Sequence, residues 1–255
     1  MPPRSDYGTG CYRRAIRVRC EGDAVVGDLA DDFHHFAVRV RHDGAAVTEV
    51  SGDGVRVPWT TCPGALEPLR RMEGVALSQP LLQLVRHTPA REQCTHWHDV
   101  ACLAIVHAWR ALRGGNPVRR YDVELADRVD GETPCAIRRD ERPLFVWRVR
   151  GLQIVDGAGS AFTGLQIGRP EFREALATQS DPDLQEAIWV LYRAAFIGLG
   201  RRWDFDQLKT AAEFSSLAGA CHTFSPERMA DARRIRGTVR DFTERPDALL
   251  PTTKR

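Results

Sequence analysis

The fold of this chain is decided by residues 36–50, which read FAVRVRHDGAAVTEV. Apolar and polar side chains alternate from Phe36 to Arg41, which is the two-residue period of a half-buried strand. A turn signal, His42-Asp43-Gly44, separates this segment from a second strand over 47–50. Because the alternate residues are arginines, one face of these strands is in water. The same signals, ending with a turn at 51–54 and a strand at 55–57, predict an antiparallel β meander from Tyr12 to about Val57.

Two helices are predicted after the meander. A short one follows Pro63, which suits a first helical turn, and it places Leu66, Leu69 and Met72 at helical spacing. The other begins at Thr95 as its N-cap and ends before Gly114-Gly115. Apolar residues nearly encircle this second helix, so we expect it to be buried on most sides.

The rest of the chain predicts a second β section and then helices. Strands are predicted at 121–125, 135–140 and 144–154, with a turn at Glu141-Arg142-Pro143. Helices are predicted to start near Asp181, to run from Asp206 to about Leu217, and to run from Ser225-Pro226 to Gly237.

These elements predict an α/β protein of the α+β type. An antiparallel β meander packs against buried helices, and a helical extension follows at the C-terminal end. The predicted boundaries are an α+β core at 11–168, a helical extension at 169–245, and flexible tails at 1–10 and 246–255.

Composition narrows the range of partners. The 255 residues carry a net charge of +2, and 34 of the 36 basic residues are arginine. Acidic residues are interleaved with them, which argues against a nucleic-acid partner. The start lacks a secretory apolar stretch, and no apolar run approaches a membrane span. We therefore expect a cytoplasmic protein with seven reduced cysteines and no membrane partner. The expected partners are a small-molecule substrate and a second copy of the chain in a homodimer.

The most informative cluster is Cys94-Thr95-His96-Trp97-His98 at the start of the second helix. The positive end of a helix lowers the pKa of a thiol there and keeps an imidazole neutral, so that it can bind a metal. The alternative is that Cys94 packs as a small apolar residue while the histidines hydrogen-bond locally.

Cys62 is the expected partner of this cluster, since it also precedes a helix. Together, Cys62, Cys94, His96 and His98 offer the thiolate and imidazole donors that zinc or iron prefers. Zinc or iron is therefore the predicted cofactor, with no cofactor as the alternative.

A third constellation is Asp31-Asp32-Phe33-His34-His35. It offers carboxylate and imidazole groups for acid–base chemistry or for metal binding, or it is a solvated polar turn. Strand alternation sends His34 and His35 to opposite faces, so at most one of them joins a site.

Candidate substrate-binding residues are Arg56, Trp59 and Trp97. Arg56 could clamp an anionic substrate, or it could pair with a neighbouring acid. Cys221-His222 is interpreted as a packed turn between helices.

Several residues together resemble a bacterial family known as domain of unknown function 2889. They are 58–65 (PWTTCPGA), Leu69 to Gly74, and Cys94-Thr95-His96 with Asp99 and Ala101. The resemblance spans roughly residues 12–155. The family has an aliphatic residue where this chain has Trp97. More remotely, the order of strands, cysteine loop and cysteine-opened helix is similar to iron–sulfur scaffold proteins, with Cys62 and Cys94 matching two of their three cysteines.

The functional hypothesis that follows is a catabolic enzyme of the lyase, hydratase or hydrolase type. It would act on a carboxylate or acyl substrate without a nucleotide cofactor, because the glycine-rich nucleotide motifs are missing from the sequence. His96, Cys62, Cys94 and His34 are the predicted catalytic residues, around one divalent metal. The alternatives are a metal or iron–sulfur carrier without turnover, and a regulatory ligand-binding module that uses the arginine-rich segment 226–236.

Overall fold

The architecture comes from a computed structural model that describes residues 2–78, 80–128, 131–158 and 160–251. These residues form eight strands: β1 (Cys11–Glu21), β2 (Ala24–Asp31), β3 (His35–His42), β4 (Val47–Arg56), β5 (Val118–Ala126), β6 (Thr133–Arg139), β7 (Arg142–Arg150) and β8 (Gln153–Asp156). They also form five α-helices: α1 (Leu66–Leu69), α2 (Leu81–Leu84), α3 (Thr95–Ala111), α4 (Pro170–Ala177) and α5 (Pro182–Gly198). Antiparallel strand pairs beside separate helices confirm the predicted α+β class.

Short 3-10 helices occupy several of the connections. They are Cys62–Ala65, Arg70–Met72, Ala90–Glu92, Leu199–Arg202, Phe205–Gln207, Ala211–Leu217 and Pro246–Ala248. Among the residues that the structure describes, no helix has both the length and the apolar character needed to cross a bilayer.

The chain divides into two compact units. The meander unit comprises Ile16–Arg119 and Phe205–Arg240, and the terminal unit comprises the described residues of Met1–Ala15, Arg120–Asp204 and Asp241–Arg255. This division differs from the predicted boundary after residue 168, which stays a prediction, as does the flexibility of the two tails. Residue 1 and residues 252–255 of those tails lie outside the described part of the chain.

In the meander unit the strand order is β4-β3-β2-β1, and α3 packs on β2 and β3. Gly27 on β2 permits this close packing, because a Cβ there would lie 2.4 Å from a methyl carbon of Val100. The register pairs Leu29 with Phe36 and Ala30 with His35, so a tight turn over residues 31–34 closes the β2–β3 hairpin.

The turn predicted at 51–54 is wrong, because β4 runs unbroken from Val47 to Arg56. The glycines there allow a close approach instead of a chain reversal. A Cβ on Gly52 would lie 3.1 Å from the indole nitrogen of Trp97.

In the terminal unit the strands follow the order β5-β6-β7-β8, and α5 packs on β6. Asp140 and Glu141 form the β6–β7 turn with positive φ angles of 49° and 68°. The predicted turn at 141–143 is therefore displaced, since Pro143 lies inside β7 beside a register shift. An aromatic core of Trp147, Phe162, Phe172 and Tyr192 fills this unit.

A buried ion pair also stabilises the terminal unit. The Arg201 guanidinium donates to Asp127 over 3.0 Å, and both side chains are 2% exposed. Arg201 also donates to Asp241 over 2.8 Å, while Asp127 accepts bonds from the amides of Gly8 and Gly10.

The helix predicted to start near Asp181 is present as α5, but the predicted helix from Ser225 to Gly237 is wrong. Its residues form turns, because their backbone groups bond to distant segments. Examples are Ala211 N to Ala232 O at 2.9 Å and Thr60 N to Arg233 O at 3.0 Å. Residues 206–217 likewise form only short 3-10 turns. Tertiary contacts override the local start signal here.

Candidate metal centre

The N-terminus of α3 lies against the turn that closes the β2–β3 hairpin. His96, in the first turn of α3, stacks on Phe36 with ring centroids 5.5 Å apart. Its ring centroid also lies 3.9 Å from that of His34, with 31° between the ring planes. The fold thus brings together two imidazoles that are 62 residues apart in the sequence.

Asp31 shapes the turn through one carboxylate oxygen. Oδ1 accepts hydrogen bonds from the amides of Phe33 (2.8 Å) and His34 (2.7 Å). The His34 ring contributes a third bond, from Nδ1 over 3.0 Å. This is the local Asp-to-backbone pattern that short polar residues use in turns. With the carboxylate ionised, His34 donates through Nδ1 and keeps Nε2 as an acceptor.

Arg56 holds the same turn from β4. Its guanidinium donates to the carbonyl oxygens of Asp31 (2.6 Å), His34 (2.9 Å), Asp32 (3.2 Å) and Thr238 (2.8 Å). The amide of Arg240 donates to Asp32 O over 2.7 Å. These bonds fix the position of Asp31 and His34, and the predicted role of Arg56 in substrate binding stays a prediction.

Asp31, His34 and His96 form a group that can hold a metal ion. One ligand atom from each lies within 4.8 Å of the others, and in the described part of the chain no other group of three such residues meets this distance. Asp31 and His96 are buried, whereas the His34 side chain is 12% exposed. Two imidazoles with one carboxylate suit zinc and iron(II). We call this group the metal triad.

Two local charges act on the triad. The partial positive charge at the N-terminus of α3 lies beside His96. The Asp31 carboxylate lies 3.0 Å from Nδ1 of His34, so an oxygen donor and a nitrogen donor are already side by side. This chemistry fits the triad to a divalent ion.

The metal triad contains one of the predicted metal ligands. His96 belongs to the metal triad, whereas Cys62, Cys94 and His98 do not. The His98 ring lies 3.2 Å from the Thr88 hydroxyl and 3.9 Å from the Cys102 sulfur. His98 therefore makes local hydrogen bonds outside the metal triad. Of the predicted catalytic residues, His34 and His96 come together.

Cys94, not Thr95, is the N-cap of α3. The expected lowering of thiol pKa at this helix end is wrong in direction. Burial raises the pKa of Cys94 well above its ordinary value, with further increases from the neighbouring Cys62 and Cys221 thiols, and the amides of Trp97 and His96 only partly offset this. Burial likewise raises the pKa of Cys62 to about 11. Both thiols are therefore protonated at neutral pH in the absence of a metal.

Both candidate tryptophans lie in the core. Trp97 is 1% exposed, and its indole nitrogen donates to the carbonyl oxygen of Ala37 over 3.1 Å. Trp59 is 5% exposed and meets Phe224 edge to face at 5.7 Å. Their predicted contact with substrate stays a prediction. His35 is outside the metal triad, in line with the alternation argument, and burial lowers its pKa.

The predicted site does not contain Asp31, although this residue belongs to the aspartate–histidine turn. The reason is that nothing in the sequence shows that α3 crosses that turn. The spacing Asp-x-x-His before a strand is the signal that could have found it, since an aspartate caps a residue three positions later.

Comparison with family models finds no match for this chain. Comparison with curated proteins finds no match either. The resemblance to domain of unknown function 2889 and to iron–sulfur scaffolds therefore stays a prediction.

Proposed function

We propose that this chain is a metal-dependent enzyme whose divalent ion, zinc or iron, is held by Asp31, His34 and His96. The observation that supports this proposal is the convergence of the three ligand atoms within 4.8 Å at the start of a buried helix. The reaction class proposed is hydrolysis or lyase chemistry on a small carboxylate or acyl substrate.

The residues around the triad would have separate tasks. A bound ion would supply Lewis acidity toward a substrate oxygen or a water molecule. Asp31 and His34, whose Oδ1 and Nδ1 atoms lie 3.0 Å apart, would each give one atom to the ion, which would replace the proton between them. Phe33 and Phe36 would keep one side of the site apolar, which strengthens electrostatic interactions there.

The approach of substrate would be from the His34 side. Asp31 is fully buried and His96 nearly so, whereas the His34 side chain keeps 12% of its surface exposed. Arg56 would act as a positioning residue, since it holds the turn by its carbonyl oxygens and fixes the spacing of the ligands.

The test is metal analysis of freshly purified protein, combined with a panel of chromogenic acyl esters and unsaturated carboxylates. We expect His96→Ala to lose one equivalent of zinc or iron, and with it any turnover on the panel. The matched control is His87→Ala, which removes an exposed histidine of the same unit and should change neither.

Three results would count against the proposal. Equal metal content in His96→Ala and the unaltered chain would show that the metal triad does not bind the ion. Iron accompanied by an equivalent of sulfide, without turnover, would favour the carrier alternative. If the protein binds metal at the triad but turns over no substrate of the panel, the proposed reaction class is excluded.

A further inference from the structure

Three cysteines lie on segments that contact one another beside the start of α3. Cys62 begins the 3-10 helix Cys62–Ala65, Cys94 caps α3, and Cys221 follows the 3-10 helix Ala211–Leu217. The amide of His222 donates to the carbonyl oxygen of Gln93 over 2.8 Å, so the residues next to Cys221 and Cys94 are in direct contact.

Cys62 is tied to the same place from the other side. Its sulfur lies 3.5 Å from the Thr223 hydroxyl, two residues after Cys221. Cys221 also packs against the apolar cluster around Trp59 that contains Cys62. Two independent contacts thus connect the segment around Cys221 to both other cysteines. The three thiols are also close enough to influence one another electrostatically.

We propose that Cys62, Cys94 and Cys221 form a second metal site, which takes one thiophilic ion through three sulfur atoms. We call it the thiol site. Sulfur ligands favour soft ions such as copper(I) and cadmium, whereas the oxygen and nitrogen donors of the metal triad favour zinc or iron(II). On binding, each sulfur gains a bond to the ion and its proton leaves to solvent.

Burial raises the pKa of Cys62 and so opposes a charged thiolate, and the positive charge of Arg234 partly offsets this effect. Three thiolates on a divalent ion carry a net charge of −1. Arg234 is held in place by Asp206 at 2.8 Å and by the Trp59 ring.

Binding requires a small movement of a side chain. Among the described residues, the three sulfur atoms do not all gather within 4.8 Å, as the atoms of the metal triad do. Cys221 is half-buried on a turn, whereas Cys62 and Cys94 are each 7% exposed. Rotation of the Cys221 side chain about χ1 is therefore the least obstructed way to close the site.

The experiment is titration of the reduced, metal-free full-length chain with cadmium(II), followed by the ultraviolet thiolate-to-cadmium charge-transfer band. We expect saturation at one ion per chain. We expect Cys221→Ser to weaken binding by about 100-fold or more, beyond the loss typical of an outer-shell change. Cys221 is the variant of choice because it is the least buried of the three, and Cys62→Ser should show the same loss.

The matched controls are Cys135→Ser, a buried cysteine of the terminal unit, and His96→Ala, which removes the metal triad. Both should keep the cadmium band. An unchanged band in Cys221→Ser, with the variant folded by circular dichroism, would overturn the thiol site. Equal loss in Cys135→Ser would overturn it as well.

Discussion

Two buried carboxylates in this protein are accommodated in different ways. Asp127 in the terminal unit is paired with the Arg201 guanidinium and accepts two backbone amides. Asp31 in the meander unit accepts two backbone amides as well, but its ring contact is to His34, beside His96. An arginine stays charged and therefore neutralises a neighbouring carboxylate at every ordinary pH. A carboxylate beside two imidazoles can instead bind a metal ion together with them.

The difference separates a structural polar group from one suited to chemistry. A buried ion pair holds its charges in place, and removing one partner leaves the other uncompensated. A carboxylate beside two imidazoles is a set of metal ligands, and a bound cation balances the negative charge of the carboxylate. The following predictions test whether the two groups behave in these two ways.

The largest expected effect is on stability, from Arg201→Ala. Removing the guanidinium leaves Asp127 buried without its main cation, which should lower the free energy of unfolding by about 3–5 kcal/mol. Urea denaturation measures this. Arg173→Ala, an exposed arginine of α4, is the control and should stay within about 0.5 kcal/mol of the unaltered chain. Equal stability of the two variants would show that the Arg201 pair is not a structural element.

The next effect separates the carboxylates by metal binding. Asp31→Asn keeps the shape of the turn but removes a charged ligand, so zinc affinity should fall about 100-fold or more, beyond the loss typical of an outer-shell change. Asp127→Asn should leave zinc affinity unchanged while reducing stability. Competition with a chromophoric chelator gives the affinities, in a chain where Cys62 and Cys221 are serine. Similar zinc affinities in the two variants would show that Asp31 has no special part in binding the ion.

The smallest effect is a pH dependence of the terminal unit. Burial alone would raise the pKa of Asp241, but hydrogen bonds from Thr243 and Arg201 lower it from 3.8 to about 2. Because the folded-state pKa is the lower one, the stabilisation is complete above about pH 4 and is lost as the pH falls toward 2. Urea midpoints between pH 2 and 6 should fall less steeply in Asp241→Asn. An equally steep fall would show that Asp241 does not contribute.

Most of the strands could be predicted from the sequence, because alternation is a local signal. The alternating segments around Phe36 and Phe145 both lie in strands. Gly52 and Gly54 resemble turn residues in the sequence, because their packing against Trp97 involves a helix residue that lies 45 and 43 positions later in the chain. Residues 225–237 imitated a helix, since the competing bonds to Thr60 and Ala211 are not local.

The candidate site was predicted in part for the same reason. His96 and His34 were chosen for their chemistry at a helix start and in a polar turn. The proximity of His96 to Asp31, and of Cys94 to the segment around Cys221, depends on which segments cross the N-terminus of α3. Burial also reversed the expected pKa shift of Cys94, because desolvation outweighs two amide hydrogen bonds.

The most direct test of the metal triad is calorimetric titration of zinc(II) into the metal-free chain carrying Cys62→Ser and Cys221→Ser, which removes the thiol site. One ion per chain should bind, and adding His34→Ala together with His96→Ala should abolish that binding. Zinc binding of equal stoichiometry and affinity after both histidines are removed would contradict the assignment.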